Sequence, residues 1–240
     1  MNLSSYKDYY TDSSSQSYVS EEEYRSFLDY RDFLKDKRVV VVAPSKSTLS
    51  YRRGDFIDSH DIVVRLNNGF RTTGIEEFVG SRTDIVFHGL NPKSQYRLRL
   101  KSSLKFGTKF ISYWGAMFDR TTRYKQQIKK GRLDVQLVHM GDRFQMYQDL
   151  GLREHPKLLI GMGAAFHLSR EFFEPKELLL YGFDFYRTAH HDNCYDQTDA
   201  QSLSRAHDTH DIEANRFFLK TLLQARPEIK VDLITEAALS

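Results

Sequence analysis

Apolar residues in this chain fall into short unbroken runs, separated by stretches in which they recur at helical spacing. Val39-Val40-Val41-Val42 is a β-branched run of the kind found in a strand buried on both faces. Ile62-Val63-Val64 and Ile85-Val86-Phe87 repeat that pattern, and Phe110-Ile111-Ser112-Tyr113-Trp114 adds an aromatic strand. Leu158-Leu159-Ile160 reads as a further short strand that leads into a helix start of small residues, Gly161-Met162-Gly163-Ala164-Ala165. Leu178-Leu179-Leu180-Tyr181 is another buried strand, closed by Gly182. Ser20 and Glu23 make a capping box ahead of Tyr24, Phe27, Leu28 and Leu34, which share one helix face. Ile212, Leu219, Leu222 and Leu223 stripe a second helix, expected to start near Thr209 with Asp208 or Thr209 as its cap.

Strands alternating with helices predict an α/β fold, here a single Rossmann-like domain with a mainly parallel central sheet flanked by helices. Residues 1–19, rich in Ser, Tyr and Asp and lacking an apolar period, are expected to form a flexible tail before one domain spanning 20–240. In open parallel sheets, ligands bind outside the carboxyl ends of the strands. Ser45 and Asn67 both fall just past such ends, so both are candidates to line one pocket.

Composition narrows the class. With 240 residues the chain suffices for one substantial core, and 40% hydrophobic with 28% charged residues is a globular balance. A formal charge of +3 admits an anionic ligand without implying bulk nucleic-acid binding. The single cysteine, Cys194, precludes an intrachain disulfide and fits a reducing compartment. The first twenty residues hold no apolar stretch long enough for a signal peptide or membrane anchor. A cytoplasmic location without a stable membrane span is therefore expected, unless a preceding anchor has been removed. Basic residues cluster between Lys93 and Arg132, around Tyr113 and Trp114. Such a run is usually the wet face of helices, and its functional alternative is a surface for an anionic glycan or lipid.

Ile57-Asp58-Ser59-His60-Asp61, Val64-Arg65-Leu66-Asn67 and Gly80-Ser81-Arg82-Thr83 resemble, in order and spacing, the large motif of the eukaryotic-type sialyltransferases. The Gly161-Met162-Gly163 turn and the Tyr181-Gly182-Phe183 strand end resemble that family's small motif in layout. The resemblance implies a sialyltransferase-type variant of the GT-A glycosyltransferase fold and a CMP-activated sugar donor. It assigns Asn67 to the nucleotide, and Gly161, Met162, Gly163, Tyr181 and Gly182 to the donor side. Two of this chain's departures from the family fall on the donor side. Pro44 replaces a nucleotide-binding Asn, leaving Ser45 as the nearest substitute, and the small-motif turn lacks its Ser and Thr hydroxyls. Lys46 is a further candidate, as a positive charge for the phosphate.

Four of the nine histidines lie between His190 and His210, among several Asp residues. Three readings are open: a metal site, a polar loop with a helix cap, and acid–base chemistry. Against a metal, the chain has neither an Asp-x-Asp pair nor His-Glu-x-x-His. Against a purely structural role, a cap needs no histidines. A histidine has the pKa to accept a proton from a hydroxyl near neutral pH. By the resemblance, His190 or His191 fills the third motif. His210 with Glu213 fills the very small motif, where an i, i+3 Glu can orient the base; His207 is the alternative base.

The expected function is inverting transfer of sialic acid, or a related 2-keto acid sugar such as Kdo or another nonulosonate, from its CMP donor to a glycan or glycolipid hydroxyl. No metal or other cofactor is expected, because a departing monophosphate can be stabilised by a histidine and main-chain N–H groups. The rival is a nucleotide- or nucleic-acid-binding protein without transferase activity, using the basic stretch; the transferase reading expects no nucleic-acid partner.

Overall fold

The structure is a computed structural model that describes residues 21–90, 98–113, 118–140 and 158–240. The proposed tail, the Ser20 cap and Trp114 lie outside the described residues. Seven parallel strands form one sheet in the order β5-β4-β3-β2-β1-β6-β7: β1 Arg38–Val42, β2 Ile62–Leu66, β3 Ile85–Phe87, β4 Phe110–Tyr113, β5 Gln136–His139, β6 Glu177–Tyr181 and β7 Ile229–Val231. β1 lies in the middle, with Val39 opposite Ile62 of β2 on one side and Leu178 of β6 on the other. Its four valines are all buried, Val39 and Val41 on one face, Val40 and Val42 on the other. That two-sided burial is what the unbroken β-branched run encodes.

Nine helices are found among the described residues, with short 3₁₀ turns besides. Helix α1 (Glu21–Leu34) covers the sheet through Phe27, Tyr30 and Leu34, with the Tyr30 ring edge-on to Phe110 at 5.3 Å. α2 (Gly54–Asp58) and α3 (Glu76–Val79) are short connectors, as is α4 (Leu100–Leu104), while α5 (Phe118–Gly131) precedes β5. α6 (Ile160–Leu168) is apolar all round and buried from Gly161 to Leu168, as suits a helix enclosed by the sheet and its neighbours. α7 (Asp199–Thr209) and α8 (Ile212–Ala225) follow β6, and α9 (Leu233–Leu239) closes the chain.

The run Leu158-Leu159-Ile160 is not a strand: Leu159 caps α6 and Ile160 is already helical. A three-residue apolar run cannot be told from a buried helix start by periodicity alone. The second C-terminal helix also starts later than expected. Thr209 ends α7, and α8 is capped by Asp211, whose carboxylate accepts from Ala214 N at 2.9 Å.

The large-motif residues turn out to be mostly a scaffold. Arg65 is 1% exposed, and its guanidinium donates to the carbonyls of Val79 and Arg82 and to the Thr83 hydroxyl. Burial lowers its pKa to about 10. Asp58 accepts from Ser81 N, Ser81 Oγ and Arg82 N, while Arg82 donates to the carbonyls of Asp58, His60 and Asp61 and to Asp84. These bonds stitch residues 58–65 to residues 79–84, and so fix the end of β2 that carries Asn67.

Candidate active site

The strand order reverses at β1, where the chain passes to β2 on one side and β6 lies on the other; open α/β sheets form their ligand crevice at such a point. A cavity of about 290 Å³ lies there. The residues after β1 (Ala43, Pro44, Ser45), after β2 (Asn67), after β3 (Gly89) and after β6 (from Gly182 on) all line it. α6 contributes Ile160, Gly161 and Met162, and α7 contributes Ser202, Arg205 and Ala206. His190 and His210 are also among the lining residues.

Local chemistry explains each placement. Asn67 has φ 52°, a left-handed conformation that asparagine tolerates, and its N–H donates to Phe87 O at 2.8 Å. Its Oδ1 accepts from Gly89 N at 3.3 Å, which directs the amide NH₂ to other partners. Ser45 donates to Gly182 O at 2.8 Å, so its hydroxyl proton is committed to joining the ends of β1 and β6. Gly161 lets Phe183 close over the first turn of α6, since a Cβ there would come within 2.6 Å of the Phe183 ring.

His190 reaches the cavity because residues 189–191 lie antiparallel beside residues 44–46. Lys46 N donates to Ala189 O at 2.8 Å, His191 N donates to Pro44 O at 2.9 Å, and Ser45 and His190 form a bridge. Neighbours on an extended segment point to opposite sides. His190 thus lines the cavity while His191, 2% exposed, is absent from its lining. The Ser202 hydroxyl sits 3.3 Å from His190 Nδ1. Burial, and then the neighbouring His210, lower the His190 pKa to about 4, so its imidazole is neutral at pH 7.

His210 sits between α7 and α8 with extended backbone, and its N–H donates to Ala206 O at 2.8 Å. The Tyr186 ring lies nearly parallel to His210 (centroids 6.5 Å, 15°) and edge-on to His190 (5.0 Å, 81°). Phe185 and Tyr186 both have positive φ, held there by Asp184, whose carboxylate accepts from Ser47, Thr188 and Tyr186 N. Burial raises the Asp184 pKa. His210, Phe185 and Tyr186 also line a second, outer cavity with His207, Arg187 and Arg216. His210 therefore stands between the two.

The structure places several expected residues elsewhere. Lys46 is held by Asp192 and Asp199 at 2.7 and 2.6 Å and is not among the cavity residues. Tyr181 points to the opposite face of the sheet, among Val40, Val42 and Ile57. Gly163 is buried within α6 and off the cavity wall. Glu213 cannot share a helix face with His210, which precedes the Asp211 cap; its carboxylate is 80% exposed and pairs with Arg216 at 2.8 Å. Tyr113 is buried beside His139, so it packs rather than presenting a sugar platform. None of the described basic residues between Lys93 and Arg132 lines either cavity. Ser202, Arg205 and Tyr186 were not found from sequence. α7 carries no apolar stripe, and Tyr186 belongs to no motif.

Among the described residues, no three His, Cys, Asp or Glu side chains are grouped closely enough to hold a metal ion, and no helix is long and apolar enough to cross a membrane.

Four buried histidines carry a stability consequence. Burial lowers His88, His167 and His191 to about 3, as it lowers His190 to about 4. In the unfolded chain each titrates near its ordinary value of about 6.5. The unfolded state then binds protons that the folded state refuses, so stability is full above that value and is lost as pH falls from about 6.5 towards 4. Each histidine contributes a slope of up to about 1.4 kcal/mol per pH unit. Urea midpoints should be flat between about pH 7 and 8 and clearly lower at about pH 5. An equal midpoint at the lower pH contradicts this burial.

Comparison with known proteins agrees with the geometry. The chain is similar in fold to a mammalian sialyltransferase crystal structure: TM-score 0.53, 16% identity, covering 95% of this chain and 93% of that one. The same holds for a mammalian sialyltransferase in complex with Gal-beta-1-3GalNAc-ortho-nitrophenol, at TM-score 0.53, 15% identity, and coverage of 95% and 94%. Over 51 residues, 21% of this chain, it is 47% identical to the Arabidopsis thaliana beta-1,6-galactosyltransferase GALT29A, and that match spans 13% of the plant protein's length. The model of glycosyltransferase family 29 (sialyltransferase) matches residues 8–169, about two thirds of the chain. With that match and a seven-stranded parallel sheet of sialyltransferase type, this chain belongs to glycosyltransferase family 29.

Proposed function

We propose that this glycosyltransferase moves a 2-keto acid sugar, sialic acid or a relative such as Kdo, from its CMP donor to a glycan hydroxyl with inversion. The observation that carries this reading is the convergence of His190, His210, Asn67 and the first turn of α6 on one cavity at the switch point of the sheet. Asn67 offers its amide to the nucleotide. The N–H groups of Ile160 and Gly161 open α6 ahead of its first internal donor, Met162 N, and can face the phosphate. Neutral His190 can donate a hydrogen bond to the same phosphate as charge develops on it. His210, shared by both cavities, takes the acceptor proton. The acceptor oxygen then bonds to the anomeric carbon from the face opposite the leaving group, the bond from that carbon to the phosphate oxygen breaks, and CMP departs with the electron pair. This chemistry uses the chain's own hydrogen-bond donors and requires no metal.

A second reading is favoured by the local identity with the beta-1,6-galactosyltransferase: a UDP-hexose donor in the same cavity. A donor-hydrolysis screen separates the two. Release of CMP from CMP-N-acetylneuraminic acid or CMP-Kdo, with UDP-galactose inert, is the expected result. Turnover of UDP-galactose alone overturns the CMP reading.

A further inference from the structure

We propose that Tyr186 is a positioning residue for the transfer: its ring holds the imidazoles of His190 and His210 at the separation and angle the reaction needs. This rests on the roles given to those two histidines above.

The backbone around Tyr186 is unusual. Phe185 and Tyr186 are consecutive non-glycine residues in the left-handed region, at φ 52° and 60°. Bulky side chains avoid that region, and such a conformation persists only where surrounding contacts hold it. Here the contacts come from three directions. Within the loop, the Asp184 carboxylate accepts from Tyr186 N at 3.1 Å and from Thr188 N at 3.0 Å. From the β1 side, the Ser47 hydroxyl donates to Asp184 at 2.9 Å and Ser47 N donates to the Thr188 hydroxyl at 3.1 Å. From α9, the Thr235 hydroxyl accepts from Phe183 N at 3.0 Å, and Ala237 O accepts from Arg187 Nη1 at 2.6 Å. Turning the chain would not need two bulky residues there, since glycine adopts the same φ at lower cost.

What the clamped loop achieves is visible in what the ring touches. Phe185 is buried against the core, and Tyr186 borders both cavities beside His210. The Tyr186 ring stands edge-on to His190, with centroids 5.0 Å apart, and lies nearly parallel to His210 at 6.5 Å. Edge-on and offset-parallel arrangements are the ones that aromatic rings prefer. The two histidines reach the site on separate segments: His190 on the extended stretch beside residues 44–46, His210 at the break between α7 and α8. No helix or strand common to both fixes one relative to the other. Tyr186 spans that gap with a rigid ring. In the reading above, one bond breaks near His190 as another forms near His210, so both imidazoles must keep their places through a single transition state. A misplacement of about 1 Å costs about 100-fold in rate. Both contacts are made by the ring, so phenylalanine preserves them.

The test compares the full chain with Tyr186→Leu and Tyr186→Phe, using kcat and KM for CMP release from CMP-N-acetylneuraminic acid or CMP-Kdo, and the inhibition constant of CMP. Tyr186→Leu should lower kcat about 10- to 100-fold, with KM and CMP inhibition within about twofold of the parent chain. Tyr186→Phe should restore kcat to within about threefold, because the ring remains. An unchanged kcat in Tyr186→Leu overturns the assignment. So does an equal loss in Tyr186→Phe, which would move the role to the hydroxyl, and so does a matching rise in the CMP inhibition constant, which would mark collapse of the pocket. Should Tyr186→Leu fail to fold, a measurement on the unaltered chain decides. Nuclear Overhauser contacts from the Tyr186 ring to the imidazole protons of both histidines are expected, and their absence at either one overturns the geometry. Failure of the unaltered chain to hydrolyse either CMP donor removes the CMP reading alone; the same variants are then read on UDP-galactose, and the Overhauser contacts are unaffected.

Discussion

His210→Ala lowers turnover by about 100-fold or more while CMP affinity stays within about twofold of the parent chain, as expected for loss of a general base. The two halves of this prediction come from different features of the site. The main-chain bond from residue 210 to Ala206 O survives the substitution, so the end of α7 and the cap at Asp211 remain in place. The nucleotide contacts proposed above are at Asn67 and the first turn of α6, and no other lining element loses a side chain. What disappears is the imidazole between the inner and outer cavities, stacked on Tyr186. Single-turnover kinetics with the donor identified by hydrolysis, alongside calorimetric titration of CMP, checks both halves. Full activity in the variant would transfer the base role to His207, which lines the outer cavity.

Arg65→Met is expected to destabilise the fold by about 3–5 kcal/mol without any direct contact to the cavity. The guanidinium is buried and satisfies two carbonyls and one hydroxyl, and methionine leaves those acceptors buried without a donor, at about 1–3 kcal/mol each. Denaturant unfolding measures the loss, and a change below about 1 kcal/mol would show that water replaces the lost bonds. The contrast with Asn67 is instructive. Both residues belong to one motif, yet Arg65 holds the end of β2 and Asn67 lines the cavity just past it.

The central strands were legible because β1, β2, β3, β4 and β6 are runs of apolar residues, buried on both faces where the sheet is thickest. β5 and β7 are the sheet edges, short and partly polar, and gave no comparable signal. Ser45, Asn67, Gly161, Met162 and Gly182 could be placed on the cavity from strand ends and motif layout, since local order along the chain decides those positions. Lys46 could not, because the acids that hold it lie about 150 residues away and sequence distance hides them. Glu213 could not, because a break between two helices separates it from His210, and spacing arguments assume one continuous helix. α7 escaped notice since only Ser202 and Ala206 are buried on it. A helix that lines a cavity with polar residues leaves no hydrophobic period.

The most direct measurement of the central claim is a crystal structure of the chain soaked or grown with CMP. The account predicts the cytidine near Asn67 and the phosphate between His190 and the N–H groups of Ile160 and Gly161, with His210 open to the outer cavity. CMP bound away from His190 and His210, or a divalent ion bridging the phosphate to carboxylates, would contradict it.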